Sequence, residues 1–264
     1  MYLKRGLREV ISSVKRHKLI FILLIILQLL SLIAFSYTII IYQVKILENA
    51  KGITEAMQKA NFNPDSIQAG EPFIKDIYSV YQNYDSLLKQ IYQLLLWLFL
   101  LFIIFNGLLW IGVHYMLKEI SKKFSFTGTA IKFLASSFIL ILPLMLLFYF
   151  IFKNNIAFLS SYGRALFILT GIVYYLLLIS LAFIHVQSWK EFLKQILTKG
   201  FKRIHLTLIV LLLNLMLISG SIFLIYLASE QIILSIITIV LLGIVLIISR
   251  IFWLACLQEE DKNS

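Results

Sequence analysis

The chain has 264 residues, of which 61% are apolar and 14% charged, with a formal net charge of +11, three prolines and one cysteine. This composition excludes an ordinary soluble domain, where about half the residues are apolar and about a quarter charged. The lone Cys256 excludes an intramolecular disulfide.

The first element is LKRGLREVISSVKRHK, residues 3–18, in which Leu3, Leu7, Val10 and Val14 recur at helical spacing among basic residues. The pattern predicts an interfacial helix over 1–18, lying in the headgroup plane. Apolar runs then follow at 19–44, 90–117, 133–152, 165–187, 204–229 and 231–250. Each meets or exceeds the roughly 20 residues that cross a bilayer as a helix. They are apolar on every face, which excludes the alternating strands of a barrel. The first run is too long for the core of a cleaved signal peptide and is expected to be a retained span. The predicted fold class is therefore all-α. It is a six-helix transmembrane bundle with amphipathic interfacial helices and an extracytoplasmic helical hairpin, in one integral membrane domain over 1–264.

The hairpin is expected over 45–89, between the first two spans. Phe73, Ile77, Val80, Tyr84, Leu87 and Ile91 form a helical seam that carries the second span outward from about Pro72. Its partner is the extension of the first span through Val44, Leu47, Ile53 and Met57, weakened at Gly52 by about 1 kcal/mol. The turn is NFNPDSIQAGEP, residues 61–72, rich in helix breakers. The hairpin either projects roughly 25 Å or folds flat over the membrane face. Asn61, Phe62, Phe73, Tyr78 and Tyr81 are its candidate partner contacts, tyrosine being suited to both protein and membrane interfaces.

Two basic connections follow, at 118–132 and 188–203. In WKEFLKQILTKGFKR, residues 189–203, Trp189, Phe192, Leu193, Ile196 and Leu197 share one face. MLKEISKKFSFTGTAIKF, residues 116–133, is a looser version with Met116, Ile120 and Phe124 on its apolar side. The chain thus reads as three units, each a basic surface helix followed by an out-and-back pair of spans. This threading places 17 of the 24 Lys and Arg on one side. The bias predicts a plasma-membrane protein with both termini in the cytosol. Lys15, Arg16, Lys18, Lys122, Lys123, Lys202 and Arg203 are then expected to meet anionic headgroups. No nucleic-acid partner is expected, because these charges flank spans instead of lining one soluble face. Arg250, closing the last run, is expected to snorkel to the cytosolic headgroups.

Three amides stand inside the runs. Gln28, Asn106 and Asn214 each lie about ten residues from the cytosolic end of their span, near the midplane. They are expected to hydrogen-bond between helices, worth about 0.6 and up to about 2 kcal/mol each. The four histidines fall at the cytosolic boundary without the spacing that puts two ligands on one helix face, and no GxSxG or glycine-rich phosphate loop occurs. No catalytic, cofactor-binding or metal-ligating residue is assigned, and the chain is not expected to be an enzyme. Pro143 is expected to kink the third span.

With its opening MYLKRGLREVISSVKRHK, six spans and both ends inside, the chain resembles the permease halves of ABC-2-type exporters across its whole topology. That resemblance implies a permease subunit exporting an apolar or lipid-like substrate with a separate ATPase. The IYQVKILENAKG segment and the Ile/Lys-rich style are similar to uncharacterised polytopic membrane proteins of archaea, a likeness that implies no functional residues. Two functions are therefore expected. One is a non-enzymatic scaffold or complex subunit whose hairpin and basic rim contact lipids or a membrane or envelope protein. The other is the permease subunit.

Overall fold

A chain this apolar satisfies its backbone N–H and C=O groups within each segment, and a helix does so without neighbours. In the computed structural model, residues 2–58, 77–117, 125–154, 156–186, 188–202 and 204–259 are described, and among them there is no strand. In chain order the helices are α1 (Tyr2–Arg16), α2 (Lys18–Gln58), α3 (Ile77–Leu101), α4 (Gly107–Met116), α5 (Phe126–Asn154), α6 (Ile156–Phe183), α7 (Trp189–Leu197), α8 (Ile204–Leu227) and α9 (Ile232–Glu259). Two π-helical turns interrupt them, at Phe102–Asn106 and at Thr198–Lys202.

Six helices are long and apolar enough to cross a membrane: Lys18–Ala56, Tyr78–Met116, Phe126–Ile151, Gly163–Phe183, Ile204–Leu227 and Ile232–Leu257. The chain is a multi-pass, all-helical membrane protein. Pro143 sits inside α5, which continues on both sides of it.

Two compact units divide the chain. The first comprises Met1–Leu32, Leu101–Leu144 and Arg164–Ser264. Its core includes Leu24, Leu109, Phe133, Ile179, Ile247 and Trp253, all fully buried or nearly so. In this unit α1 packs on the C-terminal part of α9. The contact is made at Gly6, where an added Cβ would lie 2.5 Å from Cys256 Sγ and 3.6 Å from the Phe252 ring. Gly6, Val10 and Ser13 are buried, while Leu7 and Ile11 are 53% and 56% exposed. The packed stripe is thus rotated from the Leu3, Leu7, Val10, Val14 pattern. The smallest residue of the helix, and not the largest, allows the closest approach.

The second unit comprises Ile33–Leu100 and Met145–Gly163. Within it α2 runs on as one helix through Gly52 to Gln58. A Cβ on Gly52 would lie 2.9 Å from the Asn83 amide on α3, so the two helices meet closely there. Tyr84 Oη donates to the Lys153 carbonyl oxygen at 3.1 Å, and Tyr92 meets Tyr149 edge to face at 5.4 Å. The expected turn and the start of the second helix at Pro72 fall at 59–76, outside the described residues.

Candidate functional site

The last span does not stop where its charge appears. Beyond Arg250 the sequence IFWLACL continues in helix, and Ile251 through Leu257 are all buried. Arg250 therefore lies within the last membrane-crossing helix, Ile232–Leu257, and not at its end. Leu257 is seven residues further on, about 10 Å along the helix axis. Its guanidinium bonds inward instead. Nη1 donates to Gln28 Oε1 on α2 at 2.6 Å, and Nη2 donates to Asn106 Oδ1 at 2.8 Å. The Trp110 ring lies 5.9 Å from the guanidinium carbon, within cation–π range.

Local structure explains why these amides converge. Asn106 closes the π-helical turn Phe102–Asn106, whose wider coil inserts one residue into the span and turns the side chains after it. The Asn106 side chain makes no capping bond to α4, so its amide oxygen is available to the arginine. Gln28 lies ten residues into α2 and is 3% exposed. Two of the five guanidinium N–H groups are engaged by these neutral amides. No carboxylate among the described residues pairs with Arg250, so the site carries a net positive charge in an apolar surround.

Beside the arginine is a cavity of about 40 Å³, lined by residues that include Trp110, Tyr174, Asn214, Leu215, Arg250 and Trp253. Asn214 is 5% exposed, and its Oδ1 has no hydrogen-bond partner among the described residues. Trp253 donates its indole N–H to the Leu178 carbonyl oxygen at 3.0 Å, which fixes that wall. Tyr174 and Leu215, on α6 and α8, are 48% and 42% exposed and form the open side. Gln28, Asn106 and Asn214 do not bond one another. The first two hold Arg250, and the third faces the same space with an acceptor to spare.

A second polar pairing joins His114 and His185, whose rings lie 5.1 Å apart. His114 is 3% exposed and donates Nε2–H to the Leu181 carbonyl oxygen at 2.8 Å. Among the described residues no group of three or more His, Cys, Asp or Glu can hold a metal ion. Tyr175 ties α6 to the π-helical turn before α8, donating to the Gly200 carbonyl oxygen at 2.8 Å, with its Oη 3.0 Å from Thr207 Oγ1.

Of the partner contacts expected from sequence, Tyr78 and Tyr81 are 71% and 67% exposed. Asn61, Phe62 and Phe73 lie outside the described residues, as do Lys122, Lys123 and Arg203. Lys15, Arg16, Lys18 and Lys202 are exposed. Sequence reasoning missed the inward bonds of Arg250 to Gln28 and Asn106. The signal for it was the apolar IFWLAC that follows, which sets the arginine inside a span and not at its end. No family model, curated protein or solved structure matches the chain. The likenesses to ABC-2-type permease halves and to archaeal polytopic proteins thus rest on topology and style alone.

Proposed function

We propose that this protein is a non-catalytic, multi-pass membrane protein that binds the anionic group of an amphipathic molecule inside the bilayer, as a permease-type subunit. One observation carries this reading: Arg250 is held within a span by two neutral amides and no carboxylate among the described residues. An ionised group at that depth is costly and marks a binding site or pathway far more often than a packing contact. A scaffold needs no such charge. With no carboxylate among the described residues paired to Arg250, movement of the substrate would draw on a separate ATPase. That partner would dock on the basic connections, with both termini in the cytosol and the basic rim against anionic headgroups.

The exposed Tyr78 and Tyr81 favour a second reading, in which this same protein is a complex subunit that recognises a membrane or envelope protein through its 45–89 segment.

The test compares amphiphiles of equal chain length with anionic, zwitterionic and cationic heads, added to the purified protein in nanodiscs. Anionic heads should raise the unfolding temperature of the wild type and not of Arg250→Gln. Saturation at a hundred times Kd corresponds to about 2.7 kcal/mol. Equal shifts with all three head types would refute the reading. Copurification of an ATPase separates the permease from the complex subunit.

A further inference from the structure

We propose that the cavity beside Arg250 takes the carboxylate of a single-chain lipid acid, which enters sideways from the bilayer between Tyr174 and Leu215. The proposal rests on the anionic-ligand reading above and adds the head group and the route.

The head group follows from the donors and the space. Two guanidinium N–H groups are used on Gln28 and Asn106, which leaves three, and a carboxylate needs two in a planar fork. One water-sized group occupies about 10 to 15 Å³ on the scale by which the cavity measures about 40 Å³. The cavity therefore holds about three such groups: two carboxylate oxygens and one water. The water has a place to bind, because the buried Asn214 Oδ1 lacks a donor. A phosphate monoester, with three terminal oxygens and a bridging one, overfills the same space.

The route follows from which walls are open. Trp110, Trp253 and Ser249 are 3%, 2% and 7% exposed and close the cavity on the inside. The exposed wall residues, Tyr174 and Leu215, lie near the middle of the crossing helices Gly163–Phe183 and Ile204–Leu227, the depth at which a spanning helix faces hydrocarbon. An acyl chain leaving between them stays in lipid while its head reaches the arginine. One chain fits such a gap, since the lining there is a single tyrosine and a single leucine.

The two buried tryptophans of the cavity supply the test. Trp97→Phe and Trp189→Phe, both at exposed positions, leave Trp110 and Trp253 as the only indoles. In nanodiscs of zwitterionic lipid, 5-doxyl-stearic acid should quench their fluorescence saturably, and its methyl ester should not. Palmitate should reverse the quenching, with hexadecyl phosphate at least tenfold weaker. Arg250→Lys, which keeps the charge and loses the fork, should weaken binding about tenfold. Leu215→Trp would add an indole, so Leu215→Phe is used to narrow the mouth; it should slow the onset severalfold.

If hexadecyl phosphate displaces the probe better than palmitate, the carboxylate assignment falls and the anionic-ligand reading stands. If acid and ester quench alike, both in the wild type and in Arg250→Lys, both fall. An unchanged onset in Leu215→Phe overturns the sideways route.

Discussion

Arg250 and Gln28, 222 residues apart, are joined by a 2.6 Å hydrogen bond between the last span and the first. A neutral amide satisfies the geometry of a guanidinium N–H but not its charge. The bond thus fixes where the cation sits without neutralising it, and so leaves it able to attract an anion. A glutamate at position 28 would hold the arginine more tightly and silence it.

The relative cost of removing each partner follows. Taking both amides away, as in Gln28→Leu with Asn106→Leu, strands the charge, and loss of a buried charge's partners typically costs about 3–5 kcal/mol. Arg250→Leu removes the charge together with its need, leaving two amides with unmet donors and acceptors. It should cost less, about 1–2 kcal/mol, near the usual worth of such bonds in membranes. Unfolding in mixed micelles measures both. A costlier Arg250→Leu would mean that the arginine is there for stability, contrary to a binding role.

Docking of α1 on α9 gives a chemical readout. Gly6 lies against Cys256, the only cysteine, which is fully buried. A leucine at position 6 cannot fit beside a Cβ position already 2.5 Å from Sγ, so Gly6→Leu should lift the helix away. Cys256 should then react with a membrane-permeant maleimide at least tenfold faster than in the wild type. No change in rate would show that α1 does not cover the thiol in the membrane.

The fold was largely legible, because membrane helices announce themselves by length and apolarity, and each of the six runs overlaps one of the six crossing helices. Their ends were less so. A first charge after an apolar run reads as the water boundary, which placed Arg250 at the surface. The amides on α2 and before α4, brought together by packing, bond it inward. Gln28, Asn106 and Asn214 stand out by depth, but nothing in their spacing names their common neighbour. The His114–His185 pairing and the turn of α1 onto Gly6 likewise depend on which helices meet, which local periodicity does not encode.

Tyr175 offers a local test of the junction before α8. Its hydroxyl donates to the Gly200 carbonyl oxygen within the π-helical turn Thr198–Lys202. Tyr175→Phe removes that bond and should cost about 1 kcal/mol. Amide exchange at Thr198–Lys202 should rise severalfold while α6 itself stays protected. Faster exchange throughout α6 instead would show that Tyr175 supports the span and not the turn.

In the second unit, Gly52 and Asn83 set two effects of similar size against each other. A glycine inside α2 costs the helix about 1 kcal/mol relative to alanine, yet a Cβ there would sit 2.9 Å from the Asn83 amide. Asn83 is itself held by its Nδ2 bond to the Ser79 carbonyl oxygen at 2.9 Å, so it yields only by giving up that bond. Gly52→Ala alone should therefore be near neutral, the gain in helix propensity offset by the crowding. In an Asn83→Ala background the crowding is gone, and the same change should stabilise by about 1 kcal/mol. A double-mutant cycle on unfolding free energies measures the difference, and a coupling of about 1 kcal/mol is expected for residues in direct contact. Strict additivity would mean that α2 and α3 do not touch at this point in the membrane.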